Sequence, residues 1–368
     1  MTPIELRESI PALEDVVYFN TGAGGPSPRP VVDAFEDAVE RHEYEAPTRG
    51  ATYEVAFESY ESSRASIADF LGVGPDSIAL TNSTADGIAR VAGAIDWQEG
   101  DVVVRTDLEH PAGILPWERL EREFGVEVRV LETEAGRLDL EDVSAAVEDA
   151  RLICLSTLTW THGTRLPVEE VVDVAHEAGA AVLLDAVQEP GQRPVDVGEW
   201  GAEFVVGAGH KWLLGPFGAG YLYVRPGAEE GLVPSAIGYR SVEEPTAETY
   251  RYATGARRFE VGTISPAPHA GLAAATETIE AVGLDRIEGR IERLTDRLKA
   301  GISDERLLSP RAFESGLVTV DVAEPEATVD RLADAGIVVR ALPYPEAIRI
   351  SVHAFNTAED VDALLEVL

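Results

Sequence analysis

Lysine is almost absent from this chain of 368 residues and occurs only at positions 211 and 299. Cysteine occurs once, at 154, which excludes a disulfide framework and a cysteine-based metal cluster. No stretch approaches the ~18 uninterrupted apolar residues of a membrane span. The opening "MTPIELRESIPALEDVVYFN" lacks the basic and apolar regions of a secretory leader. Positive charge is scarce overall: 30 Lys and Arg face 66 Asp and Glu, for a formal net charge of -36. Phosphate backbones need basic surfaces, so nucleic acid is not an expected partner, and neither is a membrane. The expectation is a soluble, cytoplasmic protein.

The composition is that of a globular protein, 45% hydrophobic and 26% charged, with no low-complexity run and no internal repeat. The length allows a large core and two domains. The acids are spread along the chain, as in "VEEVVDVAHEAGA", so they belong to a solvated surface and not to an acidic tail. Such self-repulsion is relieved where salt is plentiful. The pattern reads as adaptation to a salty cytoplasm, with arginine replacing lysine.

Short apolar runs alternate with longer amphipathic segments. "DVVVRT", "VEVRVLE", "LICLST", "AVLLDA", "FVVGAG" and "GAGYLYV" read as strands; "PWERLEREFG", "LEDVSAAVEDA" and "VEEVVDVAHEAGA" read as helices. Strands apolar on both faces, alternating with helices, predict an α/β fold with a mostly parallel central sheet flanked by helices. This large domain is expected over 15–250. Residues 1–14 and 251–368 form a smaller α+β domain, with one long helical region, "AGLAAATETIEAVGLDRIEGRIERLTDRLKAGI", then short strands and a capped terminal helix. In such sheets ligands sit beyond the carboxyl ends of the strands.

There the lysine acquires a meaning. Asp185 stands just beyond "AVLLD", Gln188 follows within a turn, and Lys211 comes 26 residues after Asp185, in "GAGHKW". A lysine can capture an aldehyde cofactor, and a buried carboxylate can keep a pyridine nitrogen protonated. That is the pairing pyridoxal 5'-phosphate (PLP) requires. "LTNSTADGIARV" runs from a strand end into a helix, so the amides of Ser83, Thr84 and Ala85 offer an anion site. His210 could add a donor. Lys299, in "DRLKAG", reads instead as a solvated residue near a helix end. His162 and His353 have no metal-ligand spacing, and no metal is expected.

With "LLDAVQ" upstream of "GHK" and "GPFGAGYLYV", the chain resembles the class V aminotransferase family of PLP fold type I. The branch is that of cysteine desulfurases and isopenicillin N epimerase-like proteins, and the resemblance runs over nearly the whole length. It implies Lys211 as the Schiff-base lysine, Asp185 as the ring-nitrogen partner, Gln188 as a donor to the ring hydroxyl and His110, in "LEHPAGILPW", as the stacking ring. It implies Arg349, in "AIRISVHAF", as the fork that grips a substrate carboxylate. It further implies a homodimer, in which Thr263 of "RRFEVGT" reaches the neighbouring subunit's phosphate.

Three departures bear on function. Trp160 stands where the family has an asparagine, and Ala208 where it often has a phosphate-binding serine. The segment "ALPYPEAI", between Arg340 and Arg349, has no cysteine where desulfurases carry their persulfide-forming thiol. Aminotransferase chemistry on an amino acid is therefore the leading expectation. A desulfurase-like or selenocysteine lyase-like enzyme and an epimerase are the alternatives. A non-catalytic PLP-fold protein ranks below these.

Overall fold

The structure, a computed structural model, describes all 368 residues. Twelve strands follow in chain order. The first nine are β1 (Val17–Tyr18), β2 (Ile78–Thr81), β3 (Val102–Thr106), β4 (Glu127–Leu131), β5 (Ala150–Ser156), β6 (Ala181–Asp185), β7 (Phe204–Ala208), β8 (Gly220–Val224) and β9 (Leu317–Val320). The chain closes with β10 (Ile337–Val338), β11 (Arg340–Pro343) and β12 (Glu346–Ser351). Seven of them form one sheet in the order β2-β8-β7-β6-β5-β3-β4. Strands β4, β3, β5, β6 and β7 are mutually parallel, whereas β8 runs antiparallel to both β7 and β2. This is PLP fold type I, with helices on both faces of a mostly parallel sheet.

Period-two side-chain alternation explains why the strands are apolar throughout. Val104, Ile153, Leu155, Val182, Leu184 and Val205 point into one buried cluster. Their neighbours Val103, Leu152, Cys154, Leu183, Phe204 and Val206 point into another, on the opposite face. Fully burying such a side chain contributes roughly 1.5–3 kcal/mol, so both faces hold the sheet. No helix is long and apolar enough to cross a membrane.

A third cluster lies under the antiparallel sheet β11-β12-β9 and includes Val318, Ile348 and Ile350. The start of the chain packs here as well. Arg7 donates to the Phe355 carbonyl at 3.1 Å and pairs with Asp360 at 2.8 Å, and β1 lies parallel to β10. The stretch after β1 is thereby delivered to the carboxyl edge of the large sheet.

Two local expectations need correction. The long helical region is two helices, Ala267–Val282 and Leu284–Ala300, separated at Gly283, whose φ of +92° lies outside the helical range. Lys299 is not solvated. It is 3% exposed, and its ammonium donates to the Ala312 carbonyl at 3.0 Å. The amphipathic period around it hid this, because the following loop folds back over the helix end.

Candidate active site

The carboxyl ends of β5, β6 and β7 open onto a cavity of about 250 Å³. Into its wall the fold brings Ser83, Thr84, Ala85, His110, Asp185, Gln188, His210, Lys211 and Arg349, all of them expected from the sequence.

Asp185 ends β6 with its carboxylate buried and accepting from the Val187 N–H at 3.0 Å. Burial raises its pKa, against the pull of that N–H and of Lys211. A carboxylate so desolvated is best satisfied by a cation from a ligand. Lys211 sits in the turn after β7. Gly25 N–H donates to the His210 carbonyl at 2.8 Å, and a Cβ at Gly25 would overlap the Lys211 carbonyl, so only glycine permits this approach. Burial lowers Lys211 to about 8; Asp185 resists, while Arg349 and Arg340 push the same way. A substantial neutral fraction is therefore available near neutral pH.

Ser83 caps the helix Thr84–Ala94, accepting from the Asp86 N–H at 3.1 Å. Its hydroxyl is thus an ordinary cap, and the anion site falls to the first-turn N–H groups and the Thr84 hydroxyl, which is buried without a partner. The one acid in that turn, Asp86, is paired with Arg90 at 2.8 Å. Gln188 is largely committed: its amide donates to the Gly22 carbonyl at 3.1 Å and accepts from the Trp212 indole at 2.8 Å. One amide N–H remains for a ligand.

His110 accepts from the Ala112 N–H and stands edge-on to Trp160, ring centres 5.8 Å apart. Desolvation at the cavity wall, with Lys211, Arg340 and Arg349 nearby, holds it down at about 4, so it is a neutral ring. His210 is also held at about 4, by burial and Lys211, and stacks on Phe217 at 4.4 Å. Thr263 lies outside the cavity, on exposed surface, accepting from the Tyr239 hydroxyl at 2.9 Å.

Arg349 is 1% exposed and forms no ion pair. One Nη donates to the Trp160 carbonyl at 2.8 Å; Nε and the other Nη have no partner. Burial and Arg340 lower it to about 9. Arg340, not singled out from the sequence, also lines the cavity and is the cross-strand register partner of Arg349. Like charges directly opposite are destabilising unless an anion lies between them. Glu109 was missed as well: it is buried beside His110, and its only signal was an acid placed after a strand end. Cys154 faces the core from β5, and burial, then Glu109 and Asp185, push its thiol well up.

A larger open groove, about 600 Å³, runs past Arg137, Trp200 and Phe313 and holds none of these groups. The chemistry is in the smaller cavity. An anion cradle with an orphaned hydroxyl, a buried carboxylate and a lysine of lowered pKa fit PLP. The fold and the site together define a fold-type I PLP enzyme.

Residues 17–364 match the aminotransferase class-V family, and the chain belongs to it. A probable cysteine desulfurase of Pyrococcus abyssi is 31% identical, covering 100% of this chain and 96% of its own. The apo structure of cysteine desulfurase from Thermococcus onnurineus matches with a TM-score of 0.91 at 30% identity, over 100% of this chain and 97% of that one. A cystine C–S lyase in complex with its reaction product, cysteine persulfide, matches with a TM-score of 0.90 at 27% identity, over 97% and 98%. These relatives favour the sulfur-chemistry alternative over the leading expectation of transamination.

Proposed function

We propose that this protein is a PLP-dependent carbon–sulfur lyase acting on cystine or a similar cysteine-derived amino acid, with the sulfur product released directly and not carried on a protein thiol. The observation that carries the reading is the Arg340–Arg349 pair. Two guanidiniums in register, one with two buried donors unpartnered, suit a substrate with two carboxylates. The turn between β11 and β12 is Tyr344–Pro345, with no thiol, and Cys154 is sealed in the sheet.

When bound, PLP supplies the electron sink that lets the substrate's α-proton leave. Lys211 would hold the cofactor's aldehyde and, when free, would take the proton from the substrate's α-carbon. Asp185 would hold the ring nitrogen protonated, His110 would cover the ring, Gln188 would offer its free N–H to the ring hydroxyl, and the Ser83–Ala85 turn with Thr84 would bind the phosphate. His210 closes the wall beside it. Arg349 orients the α-carboxylate and Arg340 the distal one. Cystine and water then balance to pyruvate, ammonia and cysteine persulfide. In a homodimer, Thr263 reaches the neighbouring subunit's phosphate site.

The test is product analysis with purified, PLP-loaded protein in high salt. Pyruvate, ammonia and persulfide formed together from cystine support the reading. Stoichiometric transfer of the amino group to a keto acid, without sulfur release, replaces it with transamination, the reading that the missing cysteine also suits.

A further inference from the structure

Among the buried acids that the mechanism leaves without a task, Glu109 is one whose chain neighbour forms the cavity wall. Glu109 is 4% exposed, and both its oxygens are occupied. One accepts from the Thr106 hydroxyl at 2.6 Å and from the Ser156 N–H at 3.1 Å; the other accepts from the Ser156 hydroxyl at 2.7 Å. Ser156 is the register partner of Asp185 on the neighbouring parallel strand, and the next residue, Thr157, donates its N–H to the Asp185 carbonyl at 3.0 Å. Glu109 thus ties the end of β3 to the end of β5, against the strand that carries Asp185, while its chain neighbour His110 forms the cavity wall.

A hydrocarbon side chain could fill this space, and a neutral amide could bridge two strand ends. A carboxylate accepting three hydrogen bonds, one of them from an N–H that can only donate, is arranged to carry charge. The groups that face it are few. Burial raises its pKa most and Asp185 on β6 adds to it; the bonds from Thr106 and Ser156 lower it, and the balance stands at about 7, so the acid is about half ionised near neutral pH and wholly so above it. Cys154 on β5 is a neutral thiol, and Arg105 on β3 donates to the Thr106 carbonyl at 2.9 Å instead of pairing with Glu109.

We propose that Glu109 is a positioning residue for the cofactor: a second carboxylate behind Asp185 whose charge adds to that of Asp185 at the cofactor's ring nitrogen and at the lysine-bound end of the cofactor. The inference rests on the reading of Lys211 and Asp185 as the cofactor's two anchors. Asp185 raises the pKa of Glu109, and a protonated ring held at Asp185 would relieve that repulsion.

The experiment is a pH titration of the visible absorption of PLP-loaded protein, with the cofactor dissociation constant measured alongside. In Glu109→Gln the spectral midpoint is expected to fall by about one pH unit, because loss of a nearby negative charge disfavours the protonated, cationic form. Cofactor affinity is expected to drop about tenfold. Glu109→Asp keeps the charge and should stay near the wild-type midpoint. Ser156→Ala removes one donor to Glu109 and should move the midpoint the same way by less; it carries the test if Glu109→Gln fails to fold. A midpoint unmoved in Glu109→Gln, or in Ser156→Ala where Glu109→Gln does not fold, overturns the inference and leaves Glu109 a strand-end tie. Wild-type protein that develops no visible band with added PLP overturns the reading of Lys211, and this inference with it.

Discussion

The cavity at the strand ends and the packed interior behind it both hold cations withdrawn from water, and they differ in how fully the protein itself partners them. In the interior, Arg64 is buried against the Glu260 carboxylate at 2.6 Å and the Ile78 carbonyl at 2.6 Å, and Lys299 donates to Ala312. Arg64 meets a carboxylate of the protein and Lys299 a carbonyl, with one Nη of Arg64 left without a partner. In the cavity, Arg349 keeps two donors unpartnered. Lys211 is depressed to about 8, and its one opposing charge, Asp185, is itself desolvated. Burying a charge without a partner is expensive, so a fold retains one only where a ligand completes it. On the proposed function, the difference separates residues that hold the structure from residues that wait for a cofactor and a substrate.

The sharpest way to break this contrast is at the lysines. Lys211→Ala should lower turnover by at least about a thousandfold, since nucleophile and proton carrier are lost together. Lys299→Met should leave kcat/KM unchanged in the same assay. Equal losses in both would erase the distinction. Arg349→Met should reduce kcat/KM by about a hundredfold for any amino acid. Arg340→Met should cost about tenfold to a hundredfold for cystine and little for cysteine, as expected for loss of a charge-assisted hydrogen bond.

A pH experiment sharpens the comparison further. Lys211 has its pKa lowered from the usual lysine range to about 8, so the amine is mostly protonated below that pH and mostly free above it. The rate at which apo protein captures PLP, followed by stopped-flow absorbance, should rise with pH and level off above about 8. A rise continuing to the ordinary lysine range would mean that Lys211 is not desolvated as described. The smallest effect belongs to the interior. Lys299→Met should lower stability by about 1–3 kcal/mol in denaturant titrations, because the Ala312 carbonyl loses its donor, with the cofactor spectrum unmoved.

Much of this architecture is legible in the linear chain. Six of the seven strands of the large sheet announce themselves by short apolar runs, β2 only by its end before the helix at Thr84, and the Asp185–Lys211 pair by its place at two strand ends. The candidate anion turn follows from Ser83 before a helix. These are local signals, since backbone geometry and side-chain periodicity act over a few residues. Hidden from such reading were the break at Gly283, the burial of Lys299, the cavity-lining Arg340 and the buried Glu109 behind the cavity wall. Each depends on what lies opposite.

By itself, then, the sequence determined the fold class, the placing of a lysine and an aspartate at two strand ends and the want of a loop thiol, because each is written in residue types and short spacings. Only the tertiary structure decided which charges are left without partners. Strand order sets Ser156 beside Asp185 and lets Glu109, at the end of β3, reach Ser156, and the β11–β12 register sets Arg340 against Arg349. Electrostatic cost depends on distance and burial, and those exist only once segments far apart in the chain are packed together.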